Sequence, residues 1–358
     1  MPVFGTKSFV YNALPARVVF GAGTRKNIAD ELARLQRSRA FILSTPQQTA
    51  DAESIRAQLG PQAVGMFSGA TMHTPVDITE RALQEVQASK ADVLIAVGGG
   101  STTGLGKAIA LRTDLPQMVV PTTYAGSEMT PILGETTGSK KMTTRDLKVL
   151  PEVVIYDAEL TYSLPAALSA TSGMNAIAHA VEALYAKDSN PIVSLMAIEA
   201  IGALARALPV IVKTPADKDA RADALYGAWL CGTVLGSVGM ALHHKLCHVL
   251  GGSFSLPHSE THTVMLPHAT SFNAEAVPEA LAPVAALLGS DGPGKGLYDL
   301  ANRIGAPVSL RELGMPLEGL DRAADFAMEQ PYWNPRVLSR DAIRGILNDA
   351  WHGRRPTH

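Results

Sequence analysis

Two textures of hydrophobic and polar positions divide the chain. Up to about residue 160, short apolar runs rich in β-branched residues alternate with stretches that carry apolar residues at helical spacing. Residues 8–20 read as two short strands around a Leu-Pro turn. Further strands are expected in AFILST (40–45), AVGMFSG (63–69), ADVLIAVGGGS (91–101), QMVVPTTYAGSE (117–128) and EVVIYD (152–157). Between them, helices are expected over 24–36 with Thr24 as N-cap, over 51–60 ended by Gly60, over 75–89 with Val76, Ile78, Ala82, Leu83 and Val86 on one face, and over TGLGKAIAL (103–111). Strands alternating with helices predict a parallel α/β sheet.

Beyond residue 161 strand signals nearly vanish. Helices are predicted over 165–185, 191–210, 216–250, 279–288, 294–304, 317–327 and 340–351, with PYWNPR (331–336) as a loop. The expected organisation is therefore an α/β domain over 1–160 and an all-helical domain over 161–358. The uncharged run Leu225–Leu242 reaches membrane-spanning length. Its four glycines and polar flanks favour a buried helix instead.

Composition adds exclusions. A net charge of -2 over 358 residues points away from nucleic acid and anionic membrane. Two cysteines, Cys231 and Cys247, make no disulfide framework and read as buried thiols in a reducing, cytoplasmic setting. The first residues lack the charged and apolar regions of a signal peptide.

Candidate chemistry concentrates in Gly239–His268, which holds six of the ten histidines: His243, His244, His248, His258, His262 and His268. His244 and His248 share a helical face, and upstream Asn175 and His179 repeat that spacing. Either a metal site or a cluster of proton donors fits this pattern. A second candidate is Gly98-Gly99-Gly100-Ser101, between an apolar strand and a helix, where backbone N–H groups can cradle a phosphate. Thr122 and Thr123 follow the next strand, at the strand end where open α/β sheets bind ligands.

Taken in order, GGGS (98–101), PTTYAGSE (121–128), GMNAIAHAVEA (173–183), HHKLCHVLGG (243–252) and PHSETHTVMLPH (257–268) resemble the iron-containing alcohol dehydrogenase superfamily over nearly the whole chain. The resemblance implies a Rossmann-like N-terminal domain, a helical C-terminal domain as in the dehydroquinate synthase-like architecture, and a site between them. It also implies a nicotinamide cofactor and a homodimer, with the N-terminal strands as a contact. The family's metal ligands, one aspartate and three histidines, fall on Asn175, His179, His244 and His258. His248 matches a further histidine that is not a ligand, and His262 replaces the family's usual asparagine.

The amide at Asn175 is the informative departure, because it removes a negative charge from a site that must neutralise a dication. With TTYAGSEMTP and the HHKLCH run, it resembles the maleylacetate reductase branch. That resemblance implies reduction of an enone dicarboxylate to 3-oxoadipate by NADH, possibly NADPH, with no metal required. An enolate is less basic than an alkoxide, so hydrogen-bond donors or imidazolium groups suffice to stabilise it.

On this reading Asn175, His179, His244, His248 and His258 are catalytic, His244 and His179 foremost as proton donors. Gly98, Gly99, Gly100, Ser101, Thr122, Thr123, Ser127 and Lys141 bind the cofactor. Tyr124, His243 and Lys245 contact the substrate, with the histidines and Lys245 supplying positive charge to its carboxylates. His262 and His268 are structural. Ser44-Thr45 stand where many NAD-preferring relatives carry an aspartate, which predicts tolerance of both cofactors. Three competing readings are a metal-dependent alcohol dehydrogenase, a dehydroquinate synthase-like lyase and a non-catalytic nucleotide-binding module.

Overall fold

A computed structural model describes residues 9–138 and 140–358, and of Lys140 and Lys141 it describes the backbone only. Two compact units emerge, one of residues 13–164 and one of 165–358 joined by 9–12.

The first unit is built on a six-stranded parallel sheet. Its elements are β1 (Arg17–Phe20), α1 (Ile28–Arg34), β2 (Ala40–Leu43), α2 (Thr49–Leu59), β3 (Ala63–Phe67), α3 (Val76–Ser89), β4 (Val93–Gly98), α4 (Gly100–Thr113), β5 (Gln117–Pro121), β6 (Ile132–Thr137), β7 (Lys140–Arg145) and β8 (Val153–Tyr156). The sheet runs β1-β8-β5-β4-β2-β3. Strands β2, β4, β5 and β8 are buried along their whole length, as their unbroken apolar sequences require. Strand order reverses between β2 and β4, which makes their carboxyl ends the crevice of the sheet.

Three expectations change in this unit. Of the two strands expected in 8–20, β1 alone forms among the described residues, and the proposed dimer contact falls partly in residues 1–8, outside them. The first helix opens as a 3-10 turn, and Thr24 is not its N-cap. The Thr24 hydroxyl donates back to the Gly21 carbonyl (2.8 Å), while Asp157 accepts from Gly23 N (2.8 Å) and Arg25 N (3.0 Å). The antiparallel hairpin β6–β7 was not expected, because its Thr- and Lys-rich strands carry no apolar alternation.

A buried lysine clamps the segment between β5 and β6. Lys107 on α4 donates from Nζ to the carbonyls of Ser127 (2.6 Å), Thr130 (2.6 Å) and Ile132 (2.8 Å) and to Thr130 Oγ1 (2.9 Å). Burial pushes this amine down to about 7, and the neighbouring Glu128 opposes that shift. The acceptors hold the ammonium: four oxygens face a group with three N–H bonds. Glu128, also buried, accepts from Tyr156 Oη (2.9 Å). Lys107→Met is expected to lower stability by about 3 kcal/mol in urea unfolding, since it strands three carbonyls. A loss under about 1 kcal/mol would show the clamp to be dispensable.

The second unit contains α5 (Ala166–Tyr185), α6 (Pro191–Lys213), α7 (Lys218–Ser237), α8 (Leu242–Phe254), α9 (His258–Ala274), α10 (Pro278–Leu288), α11 (Pro293–Arg303), α12 (Gly319–Met328) and α13 (Arg340–His352). The single helix expected over 216–250 is two, bent by 96° between α7 and α8. Gly239 lies in the break, its N–H on Asp188 Oδ1 (3.0 Å). Helix α9 was missed because it has no polar face to set a period. Thr261 through Ser271 are all buried, and Pro267 lies inside it. Helix α8 turns Leu242, Leu246 and Leu250 into a core shared with Leu310, Leu320, Ile343 and Leu347. Among the described residues α6 is the one helix long and apolar enough to cross a membrane, and half of that window is buried in its own unit. Leu225–Leu242 forms most of α7, whose glycines pack closely: a Cβ on Gly227 would lie 2.8 Å from Leu204 Cγ.

Candidate active site

The histidines converge inside the helical unit. Helix α5 presents Asn175, His179 and Glu182 on one face, α8 presents His243, His244 and His248, and α9 presents His258 and His262. His244 stacks 5.1 Å from His179, 5.1 Å from His243, 5.0 Å from His262 and 6.3 Å from His248, ring centre to ring centre. His262 lies 4.3 Å from His258 and 4.9 Å from His243. Asn175, His179, His243, His244 and His262 are buried, whereas His248 and His258 are exposed.

Glu182 organises this cluster, and the sequence reading passed over it. Its carboxylate, fully buried, accepts from Ala241 N (3.0 Å), His243 N (2.8 Å) and His244 Nδ1 (2.7 Å). It thereby caps the first turn of α8 and fixes the bend before it. Burial pushes its carboxyl up, and these N–H groups act in the opposite sense. The i, i+3 spacing of His179 and Glu182 was the available signal.

The tautomers follow from this network. His243 Nε2 meets the His262 carbonyl (3.0 Å), so Nε2 carries the proton and Nδ1 a lone pair. That lone pair faces His244 Nδ1 at 3.4 Å, whose proton is shared toward Glu182. His244 Nε2 therefore offers a lone pair, and it has no hydrogen-bond partner. Asn175 Oδ1, His179 Nδ1 and both ring nitrogens of His262 are likewise buried without partners.

Burial, and then the neighbouring imidazoles, hold His179, His244 and His262 well below the ordinary histidine value. Burial likewise brings His243 to about 4. These four buried imidazoles are held toward the neutral form, which works against the expectation that the buried histidines supply positive charge to substrate carboxylates. Lys245 places its ammonium 5.6 Å from the Tyr332 ring centre. His268 is buried elsewhere on α9, also at about 4 through burial.

The linkage sign is definite: folded values below the unfolded value favour folding above about 6.5 and lose that contribution as pH falls toward 4. His243 and His268 alone account for on the order of 3 kcal/mol each. Urea midpoints measured from pH 7.5 to 4 are expected to fall steeply below 6.5, and a flat profile would contradict the buried neutral cluster.

The donor set tests poorly against a resident dication. Three neutral imidazoles and an amide oxygen bring no charge, and Glu182 has its oxygens committed to N–H groups. His243, His244 and His262 do bring ring nitrogens within 4.8 Å of one another. His243 Nε2 and His244 Nδ1 are both engaged as donors, which leaves one lone pair on each of those two rings.

In the α/β unit the glycine turn forms at the crevice. Gly98 ends β4 with φ 150°, and a Cβ there would strike Thr102 Oγ1 and lie 3.0 Å from Gln48 Oε1. A Cβ on Gly99 would lie 2.7 Å from Thr123 Oγ1. Gly100 and Ser101 open α4, whose first N–H groups have no partner within the helix. Thr122 N donates to the Gly98 carbonyl (3.1 Å), and the hydroxyls of Thr122 and Thr102 are buried and unpartnered. Gln48, held by the Thr45 hydroxyl, joins this set although the sequence did not single it out. Ser44 is buried against Ser68 Oγ (3.1 Å). Ser127 contributes its carbonyl to Lys107, and Tyr124 is fully buried. Lys141 pairs with Thr136 on the β6–β7 hairpin, and its side chain lies outside the described residues.

Comparison with known proteins gives concordant matches. The family description "Iron-containing alcohol dehydrogenase" matches residues 15–158, and "Fe-containing alcohol dehydrogenase family, C-terminal" matches 169–351. A maleylacetate reductase from Rhizobium sp. (strain MTP-10005) is 59% identical over 97% of this chain and 99% of its own. One from Burkholderia cepacia is 54% identical over 98% and 99%. The crystal structure of maleylacetate reductase from Agrobacterium tumefaciens superimposes with a TM-score of 0.96 at 58% identity, over 98% of this chain and 100% of that one.

Proposed function

We propose, from the premise that the chain belongs to the iron-containing alcohol dehydrogenase family, that this oxidoreductase reduces the enone double bond of maleylacetate to 3-oxoadipate with NADH or NADPH and without a catalytic metal. The observation that carries the proposal is Asn175: a buried amide oxygen without a partner, one helical turn before His179, in the position where the family pattern has a carboxylate.

When bound, a nicotinamide would supply the hydride, which the alkene carbon remote from the ketone would accept. The protein must then steady the negative charge that gathers on the ketone oxygen, and a proton must reach the neighbouring carbon. Neutral imidazole N–H groups in a water-poor site are suited to the first task, as fixed donors that need no reorganisation. They also suit a dianionic substrate, because removing the family's aspartate charge lowers repulsion. Asn175 adds a neutral amide donor beside them.

In the α/β unit, the first turn of α4 and the hydroxyls of Thr102, Thr122 and Thr123 offer an anion-binding cradle for the pyrophosphate. Ser44 and Thr45 put no carboxylate at the end of β2, so a 2′-phosphate meets no repulsion there, and a ribose 2′-hydroxyl loses only that acceptor.

The test follows NADH consumption with maleylacetate before and after exhaustive chelation. Activity that survives with negligible bound metal supports the proposal. Activity abolished by the chelator and restored by iron or zinc would refute its metal-free part, and absence of turnover in untreated protein would refute the substrate.

A further inference from the structure

His262 is the costliest residue in the cluster. Its imidazole is buried at 1% exposure, and neither ring nitrogen has a hydrogen-bond partner. A neutral imidazole always carries one N–H donor and one acceptor. Leaving both unsatisfied in a buried site carries the full desolvation penalty of each group. Fixed hydrogen bonds supplied by a bound ligand would offset such a cost.

The neighbours narrow the role. His243 has its proton on the His262 carbonyl, and His244 has its proton on Glu182. Neither can offer an N–H to a substrate while neutral. His262 stands among these rings and those of His179 and His258, with its own N–H uncommitted. We infer that His262 is the catalytic hydrogen-bond donor to the ketone oxygen, and that His244 Nε2 is an acceptor rather than the donor. The inference rests on the enone-reductase reading above. It assigns the donor role to a position where the resembled family carries an asparagine, a side chain that also holds an N–H donor.

Three variants test it. His262→Phe keeps the ring volume and removes the donor, and kcat is expected to fall about 10²–10³-fold with KM nearly unchanged. His262→Asn restores an N–H and is expected to recover at least about ten-fold of that loss. His262→Gly is expected to respond to added imidazole, which can occupy the vacated space. NADH binding by fluorescence and the urea midpoint control for folding. Loss of kcat in His262→Phe with recovery by Asn or by imidazole supports the donor role. Equal loss in all three without rescue, or no loss in a folded Phe variant, overturns it. If the unsubstituted protein fails to consume NADH with maleylacetate, the enone reading has failed instead.

Discussion

Glu182→Gln is expected to lower kcat for maleylacetate reduction about 10³-fold while leaving NADH binding intact. The carboxylate accepts three N–H groups, and acceptance from His244 Nδ1 fixes which nitrogen of that ring is bare. An amide has one acceptor oxygen and one donor nitrogen. The nitrogen must face either a backbone N–H at the start of α8 or His244 Nδ1. In the second case the ring is forced into the opposite tautomer, and a lone pair at Nε2 becomes an N–H. Stability should fall too, by about 2–4 kcal/mol, from one repulsive N–H pair and the loss of charge-assisted bonds. Steady-state kinetics with urea unfolding separate the two effects. Glu182→Asp keeps the charge and shortens the reach, so it should retain more activity than Gln. A folded Gln variant within ten-fold of the parent kcat would show that the His244 tautomer does not matter.

Asn175→Asp should convert the site's metal behaviour. It restores the missing charge beside three imidazole positions, two of them with unpartnered buried nitrogens, and it gives those nitrogens a common cation to serve. The variant is expected to retain about one zinc per chain after dialysis, where the parent retains far less. Added zinc should raise its thermal midpoint, by an amount equivalent to about 4 kcal/mol at a thousand-fold excess over Kd. Metal-free variant should reduce maleylacetate at least about 10²-fold more slowly, because a buried carboxylate opposes a dianionic substrate at close range. Metal analysis and thermal shifts read the first effect, and NADH kinetics the second. Equal zinc content in parent and variant would mean that residue 175 does not govern metal retention.

The legible parts of this protein were those written in local pattern. The buried strands β2, β4, β5 and β8 and the amphipathic α3 followed from their own residues. The gathering of His179, His244, His258 and their neighbours could be anticipated from spacing and from the family pattern. What escaped was non-local. Helix α9 is buried from Thr261 to Ser271, so its hydrophobic period gives no signal, and spacing alone does not place His262 among four other rings. Glu182 shows in the sequence only as a residue three after His179, because its partners are backbone N–H groups about sixty residues later. Charge state is non-local for the same reason: burial, which the sequence does not show, holds His179, His243, His244 and His262 below the ordinary histidine value. Thr24 failed as a cap because Asp157, from the far end of the unit, does that work.

The pairing of β1 with β8 has a consequence for how the chain is made. Arg17 sits beside Val153, and Gly23 beside Asp157, so the earliest strand synthesised has no partner until the last strand of its unit has emerged. At translation rates of about 5–20 residues per second, β1 waits on the order of ten seconds with its edge unpaired. Meanwhile β2 through β5 can assemble around α4 without it. Among the described strands of this unit the first made is then the last to dock, and until it does the Arg17–Phe20 edge stays open to pairing with another chain.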